Sequence, residues 1–258
     1  MATETHAELV LSVPGVGRHA IFRVVPQPQA SYHRRVIFAN LLLWMDPVTR
    51  PGPEAMAVDE WLLATATGPV LRVYAWQGPW ASIGYFGNLA EARAAIPGVQ
   101  WVRRWTGGGV VDHRADWTYT VVAPGHEPLA GWRGAESYQQ LHRALQETMR
   151  AEGLAARLSE GAEQTGAALC FENPVNHDLV GTDGRKLAGA GQRRTRRGLL
   201  HQGSVAAAAG PEESRSRGEL LAARLAAAWQ PCALQPDAEL IARLVAERYA
   251  RPEWTSRR

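Results

Sequence analysis

Apolar and polar positions along the chain predict short strands interspersed with a few helices. Runs rich in β-branched and aromatic residues are typical of strands. They occur at Val36–Met45, Val70–Trp76, Ala81–Tyr85, Val99–Arg103, Trp117–Val122, His177–Val180, Arg185–Ala190 and Gly198–Val205. The turn-forming residues Gly181-Thr182-Asp183-Gly184 precede one of the last strands and favour a tight connection there.

Four segments have the spacing of amphipathic helices. The clearest spans residues 135–152, where Tyr138, Leu141, Leu145 and Met149 share one face. The others begin at Pro53, at about Ser216 (ending near Trp229) and after the Asp237 cap. Strand clusters mixed with helices, without regular βαβ alternation, predict an α+β fold around one central sheet.

The domain organisation follows from the same pattern. Residues 1–38 lack periodicity and contain Pro26-Gln27-Pro28-Gln29, so we expect an extension that is loosely ordered. Residues 39–258 are predicted to form a single domain, with residues 206–258 as its closing C-terminal helices.

Composition narrows the class of protein. The chain has 258 residues, 46% of them hydrophobic and 21% charged, which is ordinary for a globular domain. No apolar run approaches the ~18 residues of a membrane helix, and the acidic N-terminus is unlike an export signal. The two cysteines are too few for a disulfide framework, so we expect a cytoplasmic protein. A net charge of +3 does not demand nucleic acid.

A glycine-rich segment is the first candidate site. Residues 103–113 read Arg-Arg-Trp-Thr-Gly-Gly-Gly-Val-Val-Asp-His. Three glycines leave the backbone open to an anion or carboxyl group, and Arg104 has the planar fork that pairs with one. The alternative is a hairpin that binds nothing. His113 either orients a ligand or satisfies a backbone carbonyl. No P-loop, dinucleotide fingerprint or zinc-type Cys/His spacing is present, so no metal site is predicted.

Lys186 is the second candidate. It is the single lysine among 28 basic residues, and its ammonium is a compact point charge that arginine does not reproduce. Chance in an arginine-rich chain is the alternative. Cys170, sixteen residues earlier, is either a buried inert thiol or a nucleophile whose pKa a nearby cation lowers. Cys232 has no such neighbourhood and is interpreted as structural.

An arginine run follows the lysine. Arg193, Arg194, Arg196 and Arg197 flank one threonine. Such a run is usually a solvated loop, but it is also suited to docking an acidic surface. Without interleaved aromatic residues, a protein partner is favoured over RNA or DNA.

Together these segments resemble the lipoate–protein ligase and lipoyl/octanoyl transferase family, which is related to the catalytic domain of biotin–protein ligases. The resemblance covers about residues 42–258. Its motifs are Glu54–Glu60, Ile83–Asn88, Arg103–His113, Gly184–Ala190 and Leu200–Ser204. It implies a mixed, largely antiparallel central sheet flanked by helices.

The resemblance also implies roles for individual residues. The family's glycine segment and lysine line an acyl-chain pocket, so Lys186 would meet the reacting carbonyl. The substrate-binding candidates are Arg104, Gly107, Gly108, Gly109, Val110, Val111, His113, Gly189, Ala190, His201 and Gly203. One octanoyltransferase branch carries a Cys-x-x-x-Pro segment before the lysine, which Cys170–Pro174 matches. The order His201-Gln202 and the pair Ala190-Gly191 depart from that branch's pattern.

The leading hypothesis is an acyltransferase that moves an octanoyl or lipoyl group onto a lysine of a lipoyl carrier domain through a Cys170 thioester. The carrier would be a glycine cleavage H protein or a 2-oxoacid dehydrogenase E2 domain, and the donor acyl carrier protein. The arginine run would steer these acidic partners. No tightly bound cofactor is expected. An ATP-dependent lipoate ligase with a separate accessory subunit is the alternative, and only it would use ATP and Mg. A non-catalytic acyl-binding or nucleic-acid-binding protein is a third hypothesis.

Overall fold

The computed structural model describes residues 36–161 and 175–257. Cys170 and the first 35 residues of the predicted extension lie outside these ranges. The domain boundary near residue 38 therefore stays a prediction.

Within the described ranges the chain forms eleven strands. The strands are β1 (Phe38–Met45), β2 (Val70–Tyr74), β3 (Trp80–Ile83), β4 (Gln100–Arg103), β5 (Val110–Asp112), β6 (Trp117–Pro124), β7 (Arg157–Leu158), β8 (Leu179–Val180), β9 (Lys186–Thr195), β10 (Gly198–Val205) and β11 (Ala226–Pro231). Eight of them lie in the segments that the apolar runs predict, and β5, β7 and β11 were not predicted.

Among the described residues, eight strands form one sheet in the order β11-β1-β2-β6-β10-β9-β8-β7. The pairs β11–β1 and β1–β2 are parallel and the remaining pairs are antiparallel. A smaller sheet has the order β4-β3-β5. The prediction of a mixed, largely antiparallel central sheet is confirmed.

Helices cover both faces of the large sheet. They are α1 (Gly52–Thr65), α2 (Leu89–Ala95), α3 (Pro128–Gly131), α4 (Gly134–Ala151), α5 (Pro211–Leu225), α6 (Ala238–Leu244), a π-helical turn (Val245–Tyr249) and α7 (Pro252–Ser256). In α4 the predicted apolar face is buried at Leu141, Leu145 and Met149. No helix in the described part of the chain is long and apolar enough to cross a bilayer.

The C-terminal region differs from its prediction as a purely helical segment. The helix predicted over about 216–229 runs from Pro211 to Leu225 and then gives way to β11. Residues 226–231 instead pair in parallel with β1, in a register that sets Phe38 beside Ala226. Alanine favours helices, and here the backbone bonds of an open sheet edge override that local preference.

Strand alternation sets the direction of the functional side chains. In β10, Leu200 packs in the core on the α1 side of the sheet, and Gln202 also contacts that side through Met56. His201 instead contacts Tyr119, which belongs to the core on the α4 side. Because successive side chains in a strand point to opposite faces, polar residues of β10 reach two separate environments.

Candidate functional site

A cleft lies where the large sheet meets the small one. It is narrow in this structure, with a cavity volume of about 20 Å³. Its wall combines apolar, aromatic and polar groups, the composition of sites that bind small organic molecules. The lining residues are Met56, Tyr74, Trp76, Ser82, Arg104, Val111, His113, Thr118, Gly189, Ala190, Gly191, Gln202, Gly203 and Ser204.

The glycine segment and strand β9 meet along this cleft backbone to backbone. A β-carbon added at Gly191 would lie 2.2 Å from the carbonyl oxygen of Gly107. One added at Gly84 would lie 1.9 Å from the carbonyl oxygen of Gly108, whose φ of 97° suits glycine. The two motifs that the sequence separates are therefore in direct contact.

This contact predicts different outcomes for two glycine substitutions. Gly191→Ala is expected to lower the free energy of unfolding by about 1–3 kcal/mol, because the new methyl group must push the glycine segment away. Gly107→Ala is the matched control, since no atom lies within 4 Å of its added β-carbon. Urea denaturation of both variants checks the prediction. Equal destabilisation would contradict the close approach.

Arg104 is 5% exposed and holds the glycine segment by its carbonyl oxygens. Its guanidinium donates to the carbonyl of Gly109 at 2.9 Å and to that of Gly107 at 3.3 Å. It also donates to Ser82 Oγ at 2.6 Å. Because arginine is always charged, the cleft has a fixed positive charge beside the three glycines.

His113 is oriented by side chains rather than by a backbone carbonyl, so the carbonyl alternative is wrong. Its Nε2 lies 2.6 Å from Ser82 Oγ and its Nδ1 lies 2.7 Å from Asp116 Oδ2. The ring stacks on Trp76 with 3.9 Å between ring centroids. Ser204 donates to the same Asp116 oxygen. These contacts fix the imidazole at the wall of the cleft.

Lys186 lies inside the protein, against the cleft wall. It is 2% exposed, and its Nζ is 2.6 Å from Asp178 Oδ2. Tyr138 donates its hydroxyl hydrogen to the other Asp178 oxygen at 2.5 Å and accepts the backbone N–H of Ala190 at 2.9 Å. A β-carbon at Gly189 would lie 2.6 Å from Nζ. The small residues that follow the lysine thus make room for its ammonium group.

Neutral imidazoles pack next to this ion pair. His142 donates through Nδ1 to the carbonyl of His177 at 2.7 Å, and burial lowers the pKa of His142 to about 4. Burial also lowers the pKa of His201 well below its usual range, and nearby His142 adds to that effect. Both rings are uncharged at neutral pH. His201, predicted to bind substrate, bonds to Tyr119 at 3.2 Å and lies on the sheet face opposite the Gln202 side chain.

A buried polar network ties helix α1 to the cleft floor. Asp59 accepts from Arg72 at 2.7 Å, from Gln202 at 2.7 Å and from Thr120 at 2.9 Å. Gln202 in turn accepts from the hydroxyl of Thr106 at 2.7 Å, next to the glycine segment. The network positions the floor of the cleft relative to its glycine wall.

The remaining predicted residues lie at the edges of this site. Val110, in strand β5, is buried in the core of the small sheet, whereas Val111 lines the cleft. The arginine run is not a free loop: Arg193 and Arg194 lie in the last part of β9, and Arg196 and Arg197 form the turn before β10. Arg194 donates to a serine of α4 and Arg197 to a backbone carbonyl of α1.

Sequence reasoning overlooked Asp178, Tyr138 and Asp59. Asp178 stands directly before β8, eight residues before Lys186, and an acid in that position was a usable signal. Tyr138 was assigned to the apolar face of α4, where its ring does pack, but its hydroxyl bonds to Asp178. Asp59 lies within a predicted helix and gives no sign of its partners in the sheet.

Comparison with known proteins places these features in a family context. A model of the lipoyl protein ligase A/B catalytic domain matches residues 51–213. Octanoyltransferase LipM of Carboxydothermus hydrogenoformans is 34% identical over 171 residues, 63% of each chain. LipM of Symbiobacterium thermophilum is 36% identical over 177 residues, 62% of this chain and 63% of that protein. The matches therefore span less than two thirds of these relatives' length.

Solved structures share the fold. Lipoate-protein ligase A bound with ATP superposes with a TM-score of 0.63 at 20% identity, covering 85% of this chain and 98% of that one. A bipartite lipoate protein ligase from Thermoplasma acidophilum, described with its E2 lipoyl domain, has a TM-score of 0.61 at 19% identity and covers 86% and 96%. At these identities the likeness shows the fold alone, and it confirms the predicted fold type.

Proposed function

Since this chain belongs to the lipoyl protein ligase A/B catalytic-domain family, we propose that it is an acyltransferase that attaches an octanoyl or lipoyl group to a lysine of a lipoyl carrier domain. Octanoyl transfer is favoured, because relatives at 34% and 36% identity are named octanoyltransferases. The donor would be an acyl carrier protein and the acceptor a glycine cleavage H protein or an E2 lipoyl domain, in a cytoplasmic setting.

The buried Lys186 ammonium is the observation that carries the proposal. It is held by Asp178 at 2.6 Å and lies against Gly189, which lines the cleft. A preorganised positive charge in a site that excludes water stabilises negative charge as it develops on a carbonyl oxygen. An acyl chain in the cleft would present its carbonyl to this charge.

Cys170 is proposed as the nucleophile. Its thiolate would attack the donor thioester, so that a new S–acyl bond forms and the donor thiol leaves as the old bond breaks. Support comes from the sequence, in which Cys170 and Pro174 match the Cys-x-x-x-Pro segment of one octanoyltransferase branch. Val175, the first described residue after this segment, donates its N–H to Asp178 at 2.8 Å.

The second half-reaction releases the acyl group. The amine of the carrier lysine attacks the Cys170 thioester, an amide forms, and the thiol is regenerated with the proton that the amine loses. No step consumes ATP. Arg104, Val111, His113 and the glycine wall are the proposed substrate-binding groups, with Arg193, Arg194, Arg196 and Arg197 facing the partner proteins.

Trapping of the acyl-enzyme tests this function. The full chain is incubated with octanoyl-acyl carrier protein without ATP, and its intact mass is recorded before and after hydroxylamine. We expect one added octanoyl group, lost with hydroxylamine, that maps to the peptide containing Cys170 and moves to a lipoyl domain on its addition. Modification only with ATP and free lipoate, with release of pyrophosphate, would instead select the ligase.

Cys232 provides an internal control for the labelling. It is half-buried, and burial raises the pKa of its thiol. A thiol with a raised pKa is less often in the reactive thiolate form. Labelling of Cys232 as extensive as that of Cys170 would show unspecific acylation and would contradict the proposed nucleophile.

A further inference from the structure

Arginines and aromatic rings alternate on the surface beside the cleft. Arg193 lies over the rings of Tyr85 and Trp105, at 5.2 Å and 4.8 Å from their centroids. Arg257 lies over Tyr85 at 4.3 Å and over Trp254 at 5.1 Å. Arg248 lies over the rings of both Trp105 and Trp254. We call these six residues the arginine–aromatic cluster: Tyr85, Trp105, Arg193, Arg248, Trp254 and Arg257.

Positive charge in this cluster exceeds negative charge. Arg248 is paired with Glu60 at 2.5 Å. Arg193 and Arg257 make no salt bridge with any residue that the structure describes. The buried Nε of Arg193 has no hydrogen-bond partner among those residues. A buried donor without an acceptor is unfavourable.

The adjacent Arg103 is affected by the same excess of charge. It is fully buried and donates to backbone carbonyls, among them those of Thr255 and Arg257. Burial lowers the pKa of Arg103, and the positive charge of Arg257 lowers it further. An anion bound beside Arg257 would offset this repulsion.

The cluster adjoins the cleft. Trp105 directly follows Arg104, and the N–H of Tyr85 donates to the carbonyl of Thr106 at 2.8 Å. Gly191, which lines the cleft, precedes Arg193 by two residues on β9. Beside Tyr85, Phe86 is 83% exposed. A molecule that extends out of the cleft would therefore reach charged and aromatic groups together.

We propose that Arg193 and Arg257 form a phosphate site for the acyl donor, so that the donor is a thioester whose thiol arm ends in a phosphate. This inference rests on the proposed transferase function. Arginine's planar fork pairs bidentately with phosphate, and the stacked rings hold each guanidinium in place.

The distance along β9 favours a long arm. The Lys186 ammonium lies beside Gly189, and Arg193 follows four residues later, about 13 Å away at the rise of a strand. A phosphate joined directly to the acyl carbonyl, as in an acyl adenylate, would lie next to Lys186 and away from Arg193. A phosphopantetheine arm separates the two groups, whether it is carried by a protein or by coenzyme A.

Binding and kinetics of Arg193→Gln test the site. For this variant we expect KM for octanoyl-acyl carrier protein and for octanoyl-coenzyme A to rise roughly tenfold, with little change in kcat. Octanoyl-pantetheine, which has no phosphate, should react equally well with the variant and the unmodified protein. Arg251→Gln, which removes an exposed arginine that pairs with Glu253, is the matched control and should leave all three donors unaffected.

The outcomes separate the possible readings. If Arg193→Gln raised KM equally for octanoyl-pantetheine and for the two phosphate-bearing donors, the proposed phosphate site would be wrong. It would also be wrong if KM rose for octanoyl-acyl carrier protein alone. Calorimetric binding of phosphopantetheine needs no turnover and should weaken roughly tenfold in Arg193→Gln. Unchanged binding would overturn the proposal even if the enzyme is inactive, whereas failure of every donor to acylate the unmodified protein would count against the transferase function alone.

Discussion

Replacing Lys186 with methionine is expected to lower kcat/KM for octanoyl transfer by about 10²–10³-fold, the usual effect of losing one preorganised charge that faces a developing oxyanion. Methionine keeps the length and the apolar stem of lysine but removes the ammonium. Steady-state transfer to a lipoyl domain measures the loss, which should appear mainly in kcat because the charge acts on the transition state.

Lys186→Met also leaves the buried Asp178 carboxylate without its cation. Asp178 has no exposed side-chain surface, so losing its cation is expected to lower the free energy of unfolding by about 3–5 kcal/mol. The double variant Lys186→Met/Asp178→Asn separates folding from chemistry. Asparagine is neutral and can still accept from Tyr138, so stability should largely return while activity stays low. An active double variant would contradict the role of Lys186.

Lys186→Arg is the conservative control. Charge alone is preserved in this variant, but the wall at Gly189 is shaped for a narrow ammonium, with 2.6 Å between Nζ and an added β-carbon. A branched guanidinium does not fit that space without displacing β9. We therefore expect Arg to restore less than a tenth of the activity, a loss in the range of a displaced catalytic group. Full activity of Lys186→Arg would show that the exact position of the positive charge is unimportant.

The main parts of the cleft could be anticipated because their signals are local. Three consecutive glycines, a single lysine followed by small residues, and an apolar strand after a turn can each be read within about ten positions. The structure brings the two glycine-bearing segments into backbone contact at Gly107 and Gly191. Their shared site follows from the separate motifs only through the family resemblance, because spacing alone does not show which strands pair.

Features that depend on distant partners were not predictable in this way. Whether Ala226–Pro231 is helix or strand depends on the open edge of β1, nearly two hundred residues earlier. In the sequence, Asp178 looks like an ordinary turn residue, because its contacts with Lys186 and Tyr138 exist only in the folded protein. Arg193 is one of four similar arginines in the run, and its stacking on Trp105 depends on tertiary packing. In each case a long-range contact decides what the local pattern leaves open.

Arg72→Met is also expected to lower the free energy of unfolding by about 3–5 kcal/mol. Arg72 is completely buried. It donates to Asp59 at 2.7 Å and to Asp46 at 2.8 Å and 3.0 Å. Methionine fills much of the volume but leaves the buried Asp59 carboxylate without its cation, while Asp46 keeps only its pairing with Arg50. Urea denaturation monitored by tryptophan fluorescence gives the change in unfolding free energy.

Two comparisons show whether stranded charge, rather than lost packing, causes the effect. Arg114→Met removes an arginine whose side chain is 48% exposed and pairs with Asp112 at the surface, and no measurable change is expected because exposed pairs are screened by solvent. Arg72→Met/Asp59→Asn neutralises the carboxylate that Arg72→Met leaves without a cation and should be more stable than Arg72→Met alone. Additive losses in the double variant would mean that packing around Trp44 and Tyr74, over whose rings the guanidinium lies, dominates instead. Asp59 also accepts from Gln202. A double variant that is more stable than Arg72→Met would therefore show that the stability of α1 and the shape of the cleft floor depend on the buried Arg72–Asp59 ion pair.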